Sequence, residues 1–309
     1  MTRPVLVTGA TGKQGGAVVQ ALLAQPDDMV VLAVTRNPDS PAAQKLAAHG
    51  VKLVKGDLDN VPAVFEAARA ASPTGKIWGV FSVQATSLRT DPVNLEANAE
   101  VKQGVALIDE ALKAGVTHFV YSSVDRGGEE KSWTDMTDIP HFRTKAFIEN
   151  HLREATKGSN MTWSILRPVI FFENMTPDFV GKVTLTSVRD VMGEKKMPWI
   201  ATEDIGFFAA MQLRDPKTWA GRALSLGGEP MDWNELSATF NRVTGHNPPT
   251  TFSAVATGMR WALTDIGKMF AWFKREGYSA QAAELKRLHP GMLDLEGWLR
   301  TKSAWKTEQ

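Results

Sequence analysis

The chain has 309 residues, 43% of them apolar, and a formal net charge of +1. That length allows a large buried core in one or two joined domains, and the near-neutral charge removes any general pull toward nucleic acid, an acidic membrane surface or a polyanionic substrate. There is no cysteine, which excludes disulfides, thiolate-held metals and thiol redox chemistry, and no run approaches the roughly 18 apolar residues of a membrane span.

The first strand is read at Val5–Thr8, with no signal or transit segment expected ahead of it; the expected location is the cytoplasm, with the nucleus left open. This strand runs into Gly9-Ala-Thr-Gly12-Lys-Gln-Gly15-Gly and a helix over Gln14–Ala24. One glycine serves the sharp exit from the strand, one the approach of backbone to a pyrophosphate, and one the close packing of helix on sheet. The helix amino terminus supplies free N–H groups for the anion, and Lys13 and Gln14 flank the turn. Further strands are expected at Val30–Thr35, Val51–Lys55, Gly79–Ser82, Phe119–Ser122 and Thr162–Leu166, with helices at Ala42–Ala48, Val61–Ala71, Leu95–Ala114 and His141–Glu154 between them. Pro41 opens one of these helices, and Gly50 and Gly115 stop two. Six strands with crossover helices predict a doubly wound parallel sheet.

The strand ends carry the ligand reading. The second ends Thr35-Arg36-Asn37-Pro38, with a guanidinium and no carboxylate at its tip. A basic group there accepts a 2′-phosphate, so NADP(H) is expected in preference to NAD(H). Asp57 and Leu58, after the third strand, are placed beside the adenine ring, and Val83 and Gln84, after the fourth, beside the ribose and pyrophosphate. A reductase of this architecture needs a proton donor. The usual Tyr-x-x-x-Lys is absent, because the fourth residue after Tyr121 is Asp125 and after Tyr278 is Ala282. His141-Phe-Arg-Thr-Lys145 stands instead at helical spacing. Lys145 is read as holding the nicotinamide ribose. His141 is either a proton donor or a structural or cofactor contact, since the neighbouring lysine and an oxidised nicotinamide both disfavour its charged form. Ser122 and Ser123 are read equally as catalytic hydroxyls and as ordinary strand-end residues.

Beyond Pro168 the pattern changes to short helices rich in Trp, Pro and Met. A helix is expected over 203–213, a short strand at Ala223–Leu226 and a helix at Trp233–Val243, with Trp261, Trp272, Trp298 and Trp305 read as core. The resulting division is a dinucleotide-binding domain over 1–166 and a substrate or partner lobe over 167–309, interlocked without a linker. The segments Arg36–Pro41 and Val124–Asp138 are expected to be loops that order around a bound cofactor, the second as a mobile lid or a solvated loop.

Several spaced motifs together resemble the NmrA-like family of atypical short-chain dehydrogenases: the glycine turn through Gly16, Thr35–Pro38, Glu100-Val-Lys-Gln-Gly104, Pro140-His-Phe142 with Lys145, Phe172-Glu-Asn174, Asp204-Ile-Gly206, Leu288-His-Pro290 and Trp298-Leu299. The resemblance covers essentially the whole chain. It implies a Rossmann-type sheet with a smaller interleaved C-terminal α/β lobe, and cofactor contacts from Gly9, Thr11, Gly12, Lys13, Gln14, Gly15, Arg36, Lys145 and the segment from Pro168 through Phe171 to Phe172. The family includes cofactor-responsive regulators acting through protein partners, and related branches are reductases that lack the tyrosine and rely on the lysine. Arg143-Thr144, between His141 and Lys145, departs from many relatives and puts transfer of any known partner in doubt. The sequence therefore favours an NADP(H)-responsive regulator with a protein partner over an oxidoreductase of a small apolar carbonyl, quinone or enone, and leaves the oligomeric state open.

Overall fold

In the computed structural model, which describes residues 2–25, 28–85 and 94–307, the alternation read from the sequence becomes a sheet of seven parallel strands. In chain order the first half is β1 (Arg3–Val7), α1 (Lys13–Leu23), β2 (Met29–Thr35), α2 (Pro41–Ala48), β3 (Lys52–Lys55), α3 (Val61–Ala71), β4 (Gly79–Ser82), α4 (Ala99–Lys113), β5 (His118–Ser122), α5 (Glu129–Thr134), α6 (Pro140–Ala155) and β6 (Thr162–Pro168). The second half is β7 (Ile170–Phe171), α7 (Phe179–Ser187), β8 (Trp199–Ile200), α8 (Thr202–Arg214), α9 (Pro216–Trp219), β9 (Arg222–Leu226), α10 (Trp233–Thr244), α11 (Ser253–Ala262), α12 (Thr264–Arg275), α13 (Ala282–Leu288) and α14 (Leu295–Thr301).

The sheet order is β3-β2-β1-β4-β5-β6-β9. Strand order reverses between β1 and β4, and a crevice opens there at the carboxyl ends of the strands, where this architecture binds ligands. Thr8 fixes the spacing of the two strand ends: its hydroxyl donates to the Val83 carbonyl and accepts from the Val83 N–H, both at 2.8 Å. On one face α1 and α8 bury Val18, Val19, Leu22, Ile205, Phe208 and Leu213 against the strands. On the other, α3, α4 and α6 bury Phe65, Ala68, Leu107, Ile108, Ile148 and Leu152. Such three-layer packing is what strands apolar on both faces require.

The sheet has one strand more than the six expected. Arg222–Leu226 pairs with β6 in register from Ser164↔Arg222 to Pro168↔Leu226, and α8 lies on the sheet beside α1. The chain beyond Arg167 therefore serves both the sheet and the smaller lobe. A short apolar run such as Ala223–Leu226 does not reveal which sheet it joins. Helix α4 begins at Ala99 rather than Leu95, because Asn98 takes the cap position and its side chain accepts the Glu100 N–H at 2.8 Å.

The smaller lobe has its own core. Phe172 stacks between Trp199 and Trp298, at centroid distances of 6.1 and 5.6 Å, and Trp272, Phe273 and Phe240 complete the cluster. Trp261 does not share the core role expected of it: it is 86% exposed, because α11 buries only Ala256. The lobe is joined to the sheet by the two-stranded β7–β8 pair, Ile170↔Trp199 and Phe171↔Ile200.

Candidate functional site

The glycine turn is a backbone cradle. Gly9 has φ +59°, in the left-handed region, and its carbonyl accepts the Gly12 N–H at 2.8 Å. A Cβ on Gly15 would lie 2.3 Å from the Gly9 oxygen, so no other residue fits between helix and turn. The α1 amino terminus that follows has no side-chain cap and no acidic residue in its first turn. Its N–H groups and dipole remain available to an anion.

Two cavities flank this turn. The first, of about 210 Å³, is lined by Gly9, Thr11, Arg36, Asp57, Leu58 and Val83, together with Gln103 and the ends of β2 and β3. Arg36 is exposed, and its guanidinium has no hydrogen bond or ion pair with a described residue. The Asp57 carboxylate caps the turn that follows β3, accepting the Asp59 N–H at 3.1 Å, while still facing the cavity. Lys13 bends away from the cradle and donates to the Glu173 carbonyl at 2.8 Å, tying the turn to the smaller lobe.

The second cavity, of about 380 Å³, is the chamber between sheet and lobe. Gln14, Gln84, Ser123, His141, Lys145, Pro168 and Phe171 line one side, and Ile266, Met269, Phe270, Phe273 and Tyr278 the other. Polar groups converge on it with few partners of their own. Gln84 donates to Ser82 at 2.8 Å, but its carbonyl oxygen is buried and unbonded. That orphan acceptor suits a hydroxyl or amide donor of a ligand. Ser122 is not free for chemistry, since its hydroxyl donates to the Gln14 side chain at 2.6 Å; Ser123 does reach the chamber wall.

His141 and Lys145 share one face of α6, as their spacing predicts. The Lys145 ammonium donates to Glu100 Oε1 at 2.5 Å, and Glu100 Oε2 accepts the Thr144 hydroxyl at 2.9 Å. His141 Nδ1 lies 3.3 Å from Asp265 Oδ1, an atom that also accepts the His141 backbone N–H. Tyr278 brings a phenol to the opposite wall although it stands in no Tyr-x-x-x-Lys motif. Burial, with Asp125 adding to it, pushes that phenol well above its ordinary pKa and keeps it protonated.

Glu100, Asp265 and Tyr278 are the groups the sequence reading left without a role. Glu100 stood inside a family-like motif, but nothing local connects it to Lys145. Asp265 and Tyr278 come from the lobe whose placement only tertiary packing fixes.

The segment Val124–Asp138 is not the open lid or solvated loop expected of it. Asp125 and Arg126 are fully buried. The Asp125 carboxylate accepts from the backbone of Gly127, Gly128 and Ser279 and from the Ser225 hydroxyl. Arg126 pairs with Glu149 at 2.8 Å, and Arg167 pairs with the same carboxylate at 2.8 Å. Burial pushes Glu149 up, but the two guanidiniums outweigh it and hold the carboxyl below its ordinary value. Buried charges of this kind must be satisfied in place, so the segment is anchored, and residues 129–134 form a helix within it.

A parallel sheet with a glycine cradle at its switch point, facing a chamber closed by a second lobe, is the architecture of the dinucleotide-binding, doubly wound α/β class. The chain belongs to the NmrA-like family, whose model matches residues 1–299. An NmrA-like family domain-containing oxidoreductase of Penicillium ochrochloron is 31% identical over 291 residues, covering 87% of this chain and 82% of the relative. A second, of Aspergillus hancockii, is 30% identical over 266 residues, 79% and 73% of the two chains. Among solved structures, Citrobacter sp. triphenylmethane reductase complexed with NADP(H) superposes with a TM-score of 0.71 at 19% identity, over 96% of this chain and 99% of its own. NmrA, a negative transcriptional regulator in complex with NAD, superposes with a TM-score of 0.71 at 18% identity, over 97% and 95%. At that identity the two structures establish the fold. They divide between a reductase and a regulator, and between NADP(H) and NAD.

Proposed function

We propose that this protein is an NADPH-dependent oxidoreductase that reduces a small apolar carbonyl, quinone or enone. The observation that carries the reading is the convergence of Lys145, His141, Tyr278 and the unbonded Gln84 oxygen on one mostly apolar chamber beside the glycine cradle. The cradle fits a pyrophosphate: Gly15 leaves no room for a side chain, and the uncapped α1 terminus presents its N–H groups. Arg36 at the smaller cavity supports NADP(H) over NAD(H), because a guanidinium pairs with phosphate oxygens.

The chemistry supplied by NADPH when bound is hydride donation. Lys145 gives one N–H to Glu100 and keeps two that would hold the hydroxyls of the cofactor ribose. Phe171, Ile266, Met269, Phe270 and Phe273 give the chamber an apolar lining that sets the class of its substrate. His141, on the chamber wall, would supply a proton to an oxygen receiving electrons. The curated relatives matched at 30% and 31% identity are oxidoreductases by name, which supports the same reading. A cofactor-responsive regulator, the role the sequence favoured, ranks second. A partner surface gives no reason for these polar groups to converge on one cleft beside the cradle.

The test is NADPH consumption against a panel of quinones, aldehydes and enones, with the Lys145→Ala variant alongside. Turnover should appear with at least one apolar acceptor and fall about 100-fold in the variant, the scale of a lost positioning or proton-transfer group. Equal rates in both proteins would remove Lys145 from the reaction, and NADPH binding without consumption across the panel would return the regulator to first place.

A further inference from the structure

Asp265 poses a problem that packing does not solve. It is 2% exposed, in the first turn of α12, and its Oδ2 is buried with no hydrogen-bond partner. A carboxylate out of water is costly unless it is paired or fully hydrogen-bonded. The one ion-pair partner within reach among the described residues is His141, whose Nδ1 is 3.3 Å from Oδ1. That Nδ1 is itself buried and unbonded. Nδ1 at this distance from Oδ1, with the second carboxylate oxygen unpartnered beside it, needs only a small rotation of the ring to form a hydrogen bond, as catalytic pairs often do when ligand arrives. His141 Nε2, across the ring, has no partner among the described residues, and the side chain lines the chamber.

The pair also joins two parts of the molecule. His141 opens α6, which packs on the sheet, whereas Asp265 belongs to α12, which supplies Ile266, Met269 and Phe270 to the opposite chamber wall. Among the described residues, the other titratable groups lining the chamber are Lys145, whose charge Glu100 already balances, and Tyr278, which burial keeps protonated.

We propose that Asp265 is the positioning residue for His141: its carboxylate holds a proton on Nδ1, so that the doubly protonated ring presents a second N–H, on Nε2, to the substrate oxygen as the proton donor of the chamber. The inference rests on the reductase reading for its chemistry but not for its geometry. In the step, the carbonyl carbon gains a C–H bond from the hydride of the reduced nicotinamide and the C=O π pair moves to oxygen. That oxygen takes the Nε2 proton, the substrate leaves as the alcohol, and water reprotonates the neutral imidazole. The arrangement follows the logic of a histidine oriented by a buried carboxylate.

The decisive substitution is Asp265→Asn. Asparagine keeps an oxygen for the His141 backbone N–H, so a purely structural role survives it, while the negative charge that supports the doubly protonated ring is gone. Side-chain ¹⁵N spectra of the cofactor-free protein, with the His141 signal assigned by its loss in His141→Gln, should show the form with both ring nitrogens protonated in the wild type. In Asp265→Asn that form should be lost. With an active aldehyde from the panel, kcat should fall about 100-fold in Asp265→Asn with KM and NADPH affinity within twofold. The double variant with His141→Gln should be no slower than either single one, the mark of residues acting as a unit. Unchanged ring protonation in Asp265→Asn would overturn the proposal, as would a kcat loss that appears only in Tyr278→Phe. If the wild type turns over no acceptor while its ring proton still depends on Asp265, the pair stands and the reductase reading falls. If Asp265→Asn fails to fold, the ring of the wild type decides: an unprotonated Nδ1 excludes the pair.

Discussion

The Lys145 ammonium on α6 sits 2.5 Å from a Glu100 carboxylate oxygen in the first turn of α4, with the two side chains 12% and 1% exposed. The lysine expected to hold the cofactor ribose is thus held in turn by a buried acid 45 residues earlier. Thr144 secures the second oxygen of that acid, so both ends of the carboxylate are committed to α6. The ion pair fixes where the ammonium points and joins two helices on the same face of the sheet.

Removing one partner of such a pair leaves a charge without compensation. Glu100→Gln keeps the hydrogen bond to Thr144 but strands the Lys145 ammonium, and should cost about 3 kcal/mol of stability, the lower range for breaking a buried ion pair. Urea denaturation of the two proteins measures it. NADPH affinity should fall as well, because the lysine loses its fixed direction. An unfolding midpoint unchanged from the wild type would show that Glu100 does not hold the ammonium.

Arg36 makes no hydrogen bond or ion pair with a described residue and faces the cavity at the ends of β2 and β3. Arg36→Ala should therefore leave the fold intact and weaken NADPH by about 10- to 100-fold, the range of a charge-assisted bidentate contact, while NADH binding changes less than twofold. Titrating both cofactors by nucleotide fluorescence checks this. Equal losses for the two would take Arg36 away from the 2′-phosphate.

A third expectation concerns pH and is independent of the site. His118 on β5 is buried between the Thr162 hydroxyl at 2.8 Å and the Ser164 hydroxyl at 3.1 Å. Burial lowers its pKa from 6.5 to about 4. Between those values the folded state binds fewer protons than the unfolded state, so this stabilisation is fully present above about pH 6.5 and is lost as pH falls toward 4. The full difference is about 3 kcal/mol. Denaturation at pH 7 and pH 5 should differ by about 2 kcal/mol more in the wild type than in His118→Asn; parallel pH dependence in both would show that the imidazole titrates freely.

The sequence by itself determined the β1–Gly9–α1 cradle, the parallel alternation through β6, the Lys145 and His141 face of α6 and the basic tip of β2. Each is a local matter: strand period, helix period, glycine spacing or the residue at a strand end fixes it within about ten residues. Tertiary structure decided what lies across the chamber. It brought Tyr278 to a wall that motif spacing had closed to tyrosine, set Asp265 against His141 and Glu100 against Lys145, added β9 to the sheet, and buried Asp125 and Arg126 where charge and glycine read as an open loop. These pairings span from 45 to more than 120 residues of chain. No periodicity reports on such distances; only the packing of the lobe against the sheet selects which buried charges meet.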